Sequence, residues 1–206
     1  MAGHAAPTEH LAAGELDALA MLELASVARG YRVLDWMVKE APISVVEANL
    51  VEPGKFLILF GGGVAEVQAA FDEGLAHAGE LIAEKLLIPF VHPRVWACLR
   101  GEESLPTVDC LGIVEGRAVA PTLDAADRSA KEADVQLGAL RLTPGLGGKA
   151  YYVVAGEQHA VEAAIDTGRR VLGAALVDAQ VIPRAHADFL PFVLRQAPFS
   201  LRKGGA

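Results

Sequence analysis

The sequence contains one residue pattern twice, and this repeat constrains the fold more strongly than any other feature. Residues of the same type recur at a constant offset through the first half of each repeat, and the offset grows slightly after a glycine-containing turn. The matched pairs are Glu23 and Glu115, Asp35 and Asp127, Lys39 and Lys131, Lys55 and Lys149, Gly62 and Gly156, Gly74 and Gly168, and His92 and His186. Two repeats are too few for a solenoid, which needs about three or more stacked units, so the pattern indicates two domains of one fold.

Each repeat has the order strand, helix, strand, tight turn, strand, helix, strand. This order predicts an α+β fold of the ferredoxin-like kind, in which a four-stranded antiparallel sheet carries two helices on one face. We place the first domain at residues 17–104 and the second at 105–197, with a mobile N-terminal extension at 1–16 and a C-terminal tail at 198–206. The polar segment 100–106 is the predicted linker, because glycine and proline interrupt it.

The predicted first helix of each repeat carries apolar residues at helical spacing. In the first repeat these residues are Val27, Tyr31, Leu34 and Val38, and in the second they are Val119, Leu123, Ala126 and Ala130. Spacings of three and four place each set on one face of its helix, and a surface helix normally turns such a face toward the core.

Composition and charge limit the function classes. The chain of 206 residues is 52% hydrophobic, yet no run reaches the roughly 18 to 20 apolar residues that a membrane helix needs. A net charge of -8 argues against a nucleic-acid surface, which normally carries clustered lysine and arginine. Two cysteines, Cys98 and Cys110, favour a reducing compartment, and we expect a cytoplasmic protein without a signal peptide.

Several short motifs together resemble those of the bacterial microcompartment shell proteins, in particular the tandem-domain type that forms trimers. The motifs lie at the predicted first strands, in a first helix, in a turn and at the end of the second repeat. They are Met21-Leu22-Glu23, Gly112-Ile113-Val114-Glu115, Asp35-Trp36-Met37-Val38-Lys39-Glu40-Ala41, Pro53-Gly54-Lys55-Phe56 and Ile182-Pro183-Arg184-Ala185-His186. The resemblance extends over residues 18–195, and its specificity comes from the motifs occurring together in this order.

The resemblance implies a structural role without enzymatic activity, in a microcompartment shell of the bacterial cytoplasm. Three chains would supply six domains to a flat pseudohexagonal tile, whose tight loops converge on a central pore for small metabolites. The implied partners are two further copies of the chain and neighbouring hexameric and pentameric shell proteins, with no nucleic acid and no membrane. The implied pore-lining residues are Glu52, Pro53, Gly54, Gly145, Leu146 and Gly147, and the implied tile-edge residues are Lys39, Lys131, Arg184 and His186.

Glu52 bears on which cofactor the resemblance allows. The sequence is similar to the propanediol-utilisation shell trimer, in which a cysteine directly before Pro-Gly-Lys binds an iron–sulfur cluster at the pore. Here that position is Glu52, and carboxylates do not replace thiolates as ligands of such a cluster. We therefore expect no cofactor and no metal. Three Glu52 carboxylates around one axis would instead hinder anions and favour neutral or cationic solutes.

Two other functions remain open at the level of the sequence. One is a redox tile whose loops hold a cofactor, against which the missing cysteine argues. The other is a pair of ferredoxin-like regulatory domains that bind a small effector and leave Lys39 and Lys131 exposed. The segment Gly147-Gly148-Lys149 resembles part of a phosphate-binding loop, but Thr143 stands where that motif needs glycine and Ala150 where it needs serine or threonine. No nucleophile with a suitable base is recognisable, so we expect no catalysis.

Overall fold

The computed structural model describes residues 16–102, 104–105, 109–142 and 146–193. The chain divides into two compact units. The first unit contains Met1–Asn49 and Phe56–Phe90, and the second contains Leu50–Lys55 and Val91–Ala206. Three sequence predictions fall outside the described residues: the N-terminal extension apart from its last residue, the pore residue Gly145, and the C-terminal tail.

The first unit is built from a four-stranded sheet and two helices. In chain order the elements are β1 (Ala18–Leu24), α1 (Val27–Glu40), β2 (Ser44–Val51), β3 (Lys55–Gly62), α2 (Val64–Ala78) and β4 (Ile82–Ile88). The strand order in the sheet is β2-β3-β1-β4, and β1 pairs antiparallel with both β3 and β4. The turn between β2 and β3, together with the strand ends beside it, belongs to the second unit.

The second unit repeats this arrangement and adds two short helices. Its elements are α3 (Pro93–Leu99), β5 (Cys110–Gly116), α4 (Val119–Glu132), β6 (Gln136–Leu142), β7 (Ala150–Gly156), α5 (Gln158–Leu172), β8 (Leu176–Pro183) and α6 (Leu190–Val193). The strand order is β6-β7-β5-β8, and the pairs are antiparallel. The predicted α+β fold, with two four-stranded antiparallel sheets, is confirmed.

The two repeats end their second long helix in the same way. Gly79 follows α2 with φ of 57°, and Gly173 follows α5 with φ of 49°. Glycine adopts this left-handed conformation without the clash that a Cβ atom would cause. The recurrence of this glycine therefore reflects a backbone requirement of the fold.

The core of the first unit lies between one face of the sheet and the two helices. Alternate strand residues face the helices, as the two-residue period of a strand requires. The buried strand residues are Ala18, Ala20, Leu22, Leu24, Phe56, Ile58 and Phe60, and the buried helix residues are Val33, Met37, Val67, Ala70, Phe71 and Ala78. Burying one large side chain of this kind stabilises the fold by roughly 1.5 to 3 kcal/mol.

The buried face of α1 differs from the expected one. Its fully buried residues are Gly30, Val33 and Met37, whereas Tyr31 is 58% exposed and Val38 is 46% exposed. The expectation that the stripe containing Tyr31 and Val38 turns inward is therefore wrong for these two residues. The helix lies close to the sheet through Gly30, where a Cβ atom would stand only 2.3 Å from the ring of Phe56. In α4 the equivalent stripe is buried as expected.

The core of the second unit contains a buried polar pair. The hydroxyl groups of Ser129 and Tyr152 lie 2.7 Å apart, and Ser129 donates to the carbonyl of Ala164 at 2.9 Å. Gly168 leaves room for the phenol, because a Cβ atom there would stand 2.2 Å from the tyrosine oxygen. Burial raises the pKa of Tyr152 to about 12, although its hydrogen bond with Ser129 lowers the pKa in part.

Candidate functional site

The first tight turn presents an exposed carboxylate. Glu52, Pro53 and Gly54 connect β2 to β3, and all three are exposed. The Glu52–Pro53 peptide bond is cis, and Gly54 has φ of 78°. A left-handed conformation at Gly54 explains why glycine follows proline here, since other residues adopt it only at a cost.

The second tight turn connects β6 to β7 and is richer in glycine. Leu146 is half-buried and Gly147 is exposed, and the carbonyl of Leu146 accepts the N–H of Lys149 at 3.2 Å. Gly147 and Gly148 have φ of 62° and 84°. Two successive left-handed residues turn the backbone sharply, and glycine adopts this conformation without a clash of a Cβ atom.

The structure brings the two turns together. The backbone N–H of Gly147 donates to Oε2 of Glu52 at 2.9 Å. A Cβ atom on Gly148 would lie 3.0 Å from the backbone oxygen of Glu52, so the two backbones are also close. Both turns belong to the second compact unit. The carboxylate of Glu52 is therefore positioned by the opposite turn while its exposed side remains open to solvent.

An ion pair anchors the lysine that ends the second turn. Nζ of Lys149 lies 2.5 Å from Oε1 of Glu115 on β5. Lys149 is thereby directed to the sheet, and its charge is partly neutralised. At the level of the sequence these two residues stand in the repeat, in the motif Gly112-Ile113-Val114-Glu115 and in the segment Gly147-Gly148-Lys149. Their pairing was not predicted, although the recurrence of a matching glutamate and lysine in the first repeat is a signal that points to it.

The two lysines predicted at the tile edge have different surroundings. Lys39 pairs with Asp35 at 2.6 Å, and both side chains are more than half exposed. Lys131 pairs with Asp127 at 2.5 Å, but the side chain of Asp127 is only 2% exposed. Asp127 also accepts the backbone N–H of His92 at 2.7 Å. The two ion pairs occupy equivalent positions in the sequence, yet the pair of Lys39 with Asp35 is solvated, whereas the carboxylate of Asp127 in the second pair is buried.

The end of the last strand in each repeat has the same unusual backbone. Phe90 has φ of 56° and Arg184 has φ of 49°, although neither is glycine. Left-handed backbone costs a non-glycine residue about 1 to 2 kcal/mol, so the fold imposes this conformation at both positions. Both side chains are exposed, Phe90 by 69%. His186 follows closely, is also exposed, and accepts the N–H of Asp188 at 3.2 Å.

A family model for the BMC domain matches residues 18–93 and 110–185. The chain belongs to the BMC domain family. The two matched segments fall within the predicted domains at 17–104 and 105–197, whose limits remain predictions.

The relatives of this BMC protein are shell proteins. It is 37% identical to bacterial microcompartment shell protein PduT of Citrobacter freundii over 171 residues, which cover 82% of this chain and 93% of the relative. It is 35% identical to carboxysome shell protein CsoS1C of Halothiobacillus neapolitanus over 91 residues, which cover 43% of this chain and 90% of the relative.

Solved structures agree with this assignment. A microcompartment protein of Desulfitobacterium hafniense superposes with a TM-score of 0.78 at 33% identity, over 85% of this chain and 98% of that one. A fused permuted hexameric shell protein shares the fold at 21% identity and a TM-score of 0.54. This BMC protein is a structural component of a bacterial microcompartment shell, and the family is not enzymatic. In the described part of the chain, no helix is both long and apolar enough to cross a bilayer.

The residues of this BMC protein do not fit an iron–sulfur cluster at the turns. Glu52 stands at the position of the expected thiolate and already accepts a backbone hydrogen bond from Gly147. The two cysteines lie elsewhere, Cys98 in α3 and Cys110 in β5, and both are buried. Burial raises the pKa of Cys98 to about 11 and also raises that of Cys110, so both thiols stay protonated at neutral pH.

Proposed function

We propose that three copies of the chain close into a pseudohexagonal shell tile, with the turns at 52–54 and 146–148 around a central pore. The observation that carries this proposal is the unequal covering of two equivalent surfaces, one in each repeat. The surface in the second repeat is covered by a segment of the same chain. The contacts of that segment predict which segment of another copy covers the equivalent surface in the first repeat.

In the second unit, residues 91–102 and 104–105 cover α4 and the edge strand β6. The N–H of His92 donates to Asp127 at 2.7 Å. The guanidinium group of Arg94 donates to the carbonyl of Leu137 at 2.9 and 3.2 Å. As a result Asp127 is 2% exposed and Leu137 is fully buried.

The equivalent surface of the first unit is uncovered. Asp35 stands at the position of Asp127, and its side chain is 56% exposed. Val45 stands at the position of Leu137 and is 38% exposed. We call the surface formed by Tyr31, Asp35, Val38 and Val45 the open face. An edge strand beside exposed aromatic and aliphatic side chains is a surface that proteins normally cover.

The chain also contains the counterpart of the covering segment. Residues 185–193 follow β8 as residues 91–99 follow β4. Phe192 occupies the position of Cys98, whose thiol contacts the carbonyl of Leu137 in the buried surface. Phe192 itself is 68% exposed. If segment 185–193 of a second copy covered the open face, the exposed apolar side chains of both surfaces would be removed from water.

Such a contact joins two different surfaces, so every copy offers one of each. Contacts of this heterologous kind produce closed rings when the rotation between copies closes. Three chains with two domains each supply the six positions of the tile that the shell family uses. The open face thereby supports a homotrimer, and the shell assembly of the relatives supports contacts with other shell proteins.

Two matched valines test the trimer. Val45 lies on the open face, and Val177 on β8 is equally exposed at 38%. Its counterpart in the first repeat is Ala83, which is also exposed. We therefore expect Val177 to stay outside the contact between copies. By light scattering, Val45→Lys should have about one third of the mass of the unmodified protein, because burying an unpaired ammonium group is costly. Val177→Lys should keep the mass of the trimer. An unchanged mass for Val45→Lys would refute the proposed interface.

Glu52 is the pore residue in this proposal. Its contact with Gly147 supports a ring in which turns of the two repeats alternate. Three carboxylates near one axis repel anions, and rings of acidic side chains favour cations in other pores. The tile therefore passes neutral and cationic metabolites more readily than anions.

Flux through reconstituted shells tests the pore. Glu52→Gln should raise the flux of an anionic metabolite and leave that of a neutral metabolite of similar size unchanged. Glu66→Gln is the matched control, because it removes one exposed carboxylate per chain from the first turn of α2, which follows the end of β3 opposite to the turn at 52–54. If the anion flux is the same with Glu52 and with Glu52→Gln, the Glu52 carboxylates do not hinder anions at the pore.

At the rim of the tile we place Lys39, Lys131, Arg184 and His186. Lys39 and the backbone-strained Arg184 are exposed, which suits contacts with a neighbouring tile. The ion pair of Lys131 with Asp127 orients that lysine before any neighbour arrives.

A further inference from the structure

A small cavity in the first unit has a chemistry that the shell function does not require. Its volume is about 230 Å³, and it is lined by Arg29, Arg32 and Trp36 of α1 and His77 of α2. The three α1 residues recur at helical spacing on a side of the helix that differs from the open face. The cavity is therefore separate from the surface proposed to bind a second copy.

Part of the cavity wall is held in place by contacts within the unit. The indole of Trp36 stacks on the imidazole of His77, with ring centroids 4.5 Å apart and ring planes within 5°. Nε2 of His77 lies 2.9 Å from Oε1 of Glu73. Nη1 of Arg29 donates to the backbone carbonyl of His77 at 2.8 Å. An aromatic surface and one guanidinium group are thus positioned before any ligand binds.

The cavity also has unused capacity to bind an anion. Within the described residues, Arg32 forms no hydrogen bond and no ion pair. Arg29 commits one nitrogen to His77 and keeps its remaining N–H groups. The nearby acidic groups are already engaged, Glu73 with His77 and Asp35 with Lys39. Two guanidinium groups therefore face one small cavity on a chain whose net charge is -8.

The second repeat cannot form this cavity. The residues at the equivalent positions are Pro121, Asp124, Arg128 and Val171. Asp124 and Arg128 pair with each other at 2.9 Å, so an acidic side chain stands where the first repeat has Arg32. Since the fold is maintained without the four residues, folding does not explain why the first repeat has them together.

We infer that this cavity binds a small planar anion, a carboxylate attached to a single aromatic or heteroaromatic ring. The carboxylate accepts hydrogen bonds from Arg29 and Arg32, since guanidinium groups match carboxylate geometry. The ring packs on Trp36, which is 38% exposed and so retains accessible surface. The cavity is smaller than the roughly 300 to 1,000 Å³ of pockets for drug-sized ligands, which limits the ligand to one ring.

Nicotinate and nicotinamide provide a test, because they have the same ring and nearly the same shape but differ in charge. Binding is measured by isothermal calorimetry on the full-length protein, with quenching of Trp36 as a second readout. The only other tryptophan, Trp96, is 5% exposed and serves as a shielded background. Nicotinate should bind saturably, and nicotinamide should bind roughly 10-fold more weakly or worse, as expected for the loss of a charge-assisted contact.

Variants separate a specific site from general attraction. Arg32→Gln removes a side chain without partners and should weaken nicotinate binding roughly 10-fold while the fold is retained. Arg128→Gln removes one exposed guanidinium group at the equivalent of Trp36 in the second repeat and should leave binding unchanged. Trp36→Leu should abolish the quenching and weaken binding. The inference is overturned if nicotinamide binds as tightly as nicotinate, if Arg32→Gln binds normally, or if inorganic phosphate displaces nicotinate as well as nicotinate itself does.

Discussion

Alanine substitution of Gly148 should destabilise the protein more than alanine substitution of the other turn glycines. Gly54, Gly147 and Gly148 all have left-handed φ, at 78°, 62° and 84°. An added Cβ atom meets nothing within 4 Å at Gly54 or Gly147, but at Gly148 it meets the backbone oxygen of Glu52 at 3.0 Å. The three variants therefore separate the cost of the backbone conformation from the cost of the contact between the two turns.

The expected magnitudes follow from these two terms. Left-handed backbone costs alanine about 1 to 2 kcal/mol, and the reduced freedom of the unfolded chain returns about 0.4 to 1 kcal/mol. Gly54→Ala and Gly147→Ala should thus lose about 1 kcal/mol each. Gly148→Ala must also displace Glu52 and weaken its hydrogen bond with Gly147, which adds about 1 kcal/mol for an exposed bond. We expect a total loss of about 2 kcal/mol for Gly148→Ala.

Urea unfolding at one fixed protein concentration measures the difference, because association shifts apparent stability. A double variant, Gly148→Ala with Glu52→Ala, checks the assignment to the contact. Its free energy of unfolding is compared with that of Glu52→Ala alone, in which the hydrogen bond with Gly147 is already absent. Against that background, Gly148→Ala should lose the hydrogen-bond part of its additional cost, while the close approach to the backbone oxygen of Glu52 remains. If Gly148→Ala and Gly54→Ala unfold at the same urea midpoint with equal slopes, the turns do not contact each other as described.

Three further predictions concern stability and assembly. Lys131→Met should lower the free energy of unfolding by about 1 to 3 kcal/mol, because it removes the lysine partner of the buried Asp127. Lys39→Met should change it by no more than about 0.5 kcal/mol, because its ion pair with Asp35 is exposed, and urea midpoints of the dispersed protein measure both effects. Burial raises the pKa of Tyr152 from 10.0 to about 12, so the stabilisation of the folded state by its protonated phenol is complete below pH 10 and is lost as pH rises through about 12. Alkaline unfolding should show this loss of stability, and Tyr152→Phe should not show it. Arg184→Phe matches the residue at the equivalent strained position, so it should leave the urea midpoint unchanged while it weakens the assembly of tiles into sheets, as seen by electron microscopy; unaffected sheets would exclude Arg184 from the edge.

The sequence was sufficient to predict the duplicated fold because each repeat supplies an independent copy of the same strand and turn signals. It was not sufficient to decide which apolar face of α1 is buried. Gly30, Val33 and Met37 recur at helical spacing as well as Tyr31 and Val38 do, and helical spacing alone does not distinguish a core from a surface that a second copy covers. The choice depends on the close approach at Gly30, which is a tertiary contact.

The site was predictable only where it is local. Pro53 and Gly54 indicate a tight turn by themselves, so the position of Glu52 beside that turn follows from the sequence. The hydrogen bond from Gly147 to Glu52 and the ion pair between Lys149 and Glu115 join residues far apart in the chain. The short helix α3 was also missed, because seven residues beginning with proline give too little periodicity to distinguish a helix from a linker.

Duplication explains why the two turns differ. In a ring of six identical domains, an acidic residue at the turn would place six carboxylates around the pore, and each would raise the pKa of its neighbours. In the proposed tile, Glu52 comes only from the first repeat, and Leu146 occupies the corresponding position before Gly-Gly-Lys in the second. Each carboxylate then lies beside a turn that supplies a backbone N–H from Gly147 instead of a second negative charge. Two covalently linked repeats can maintain this alternation, whereas copies of a single domain cannot, so the contact between the turns gives a physical reason for the chain to carry the fold twice.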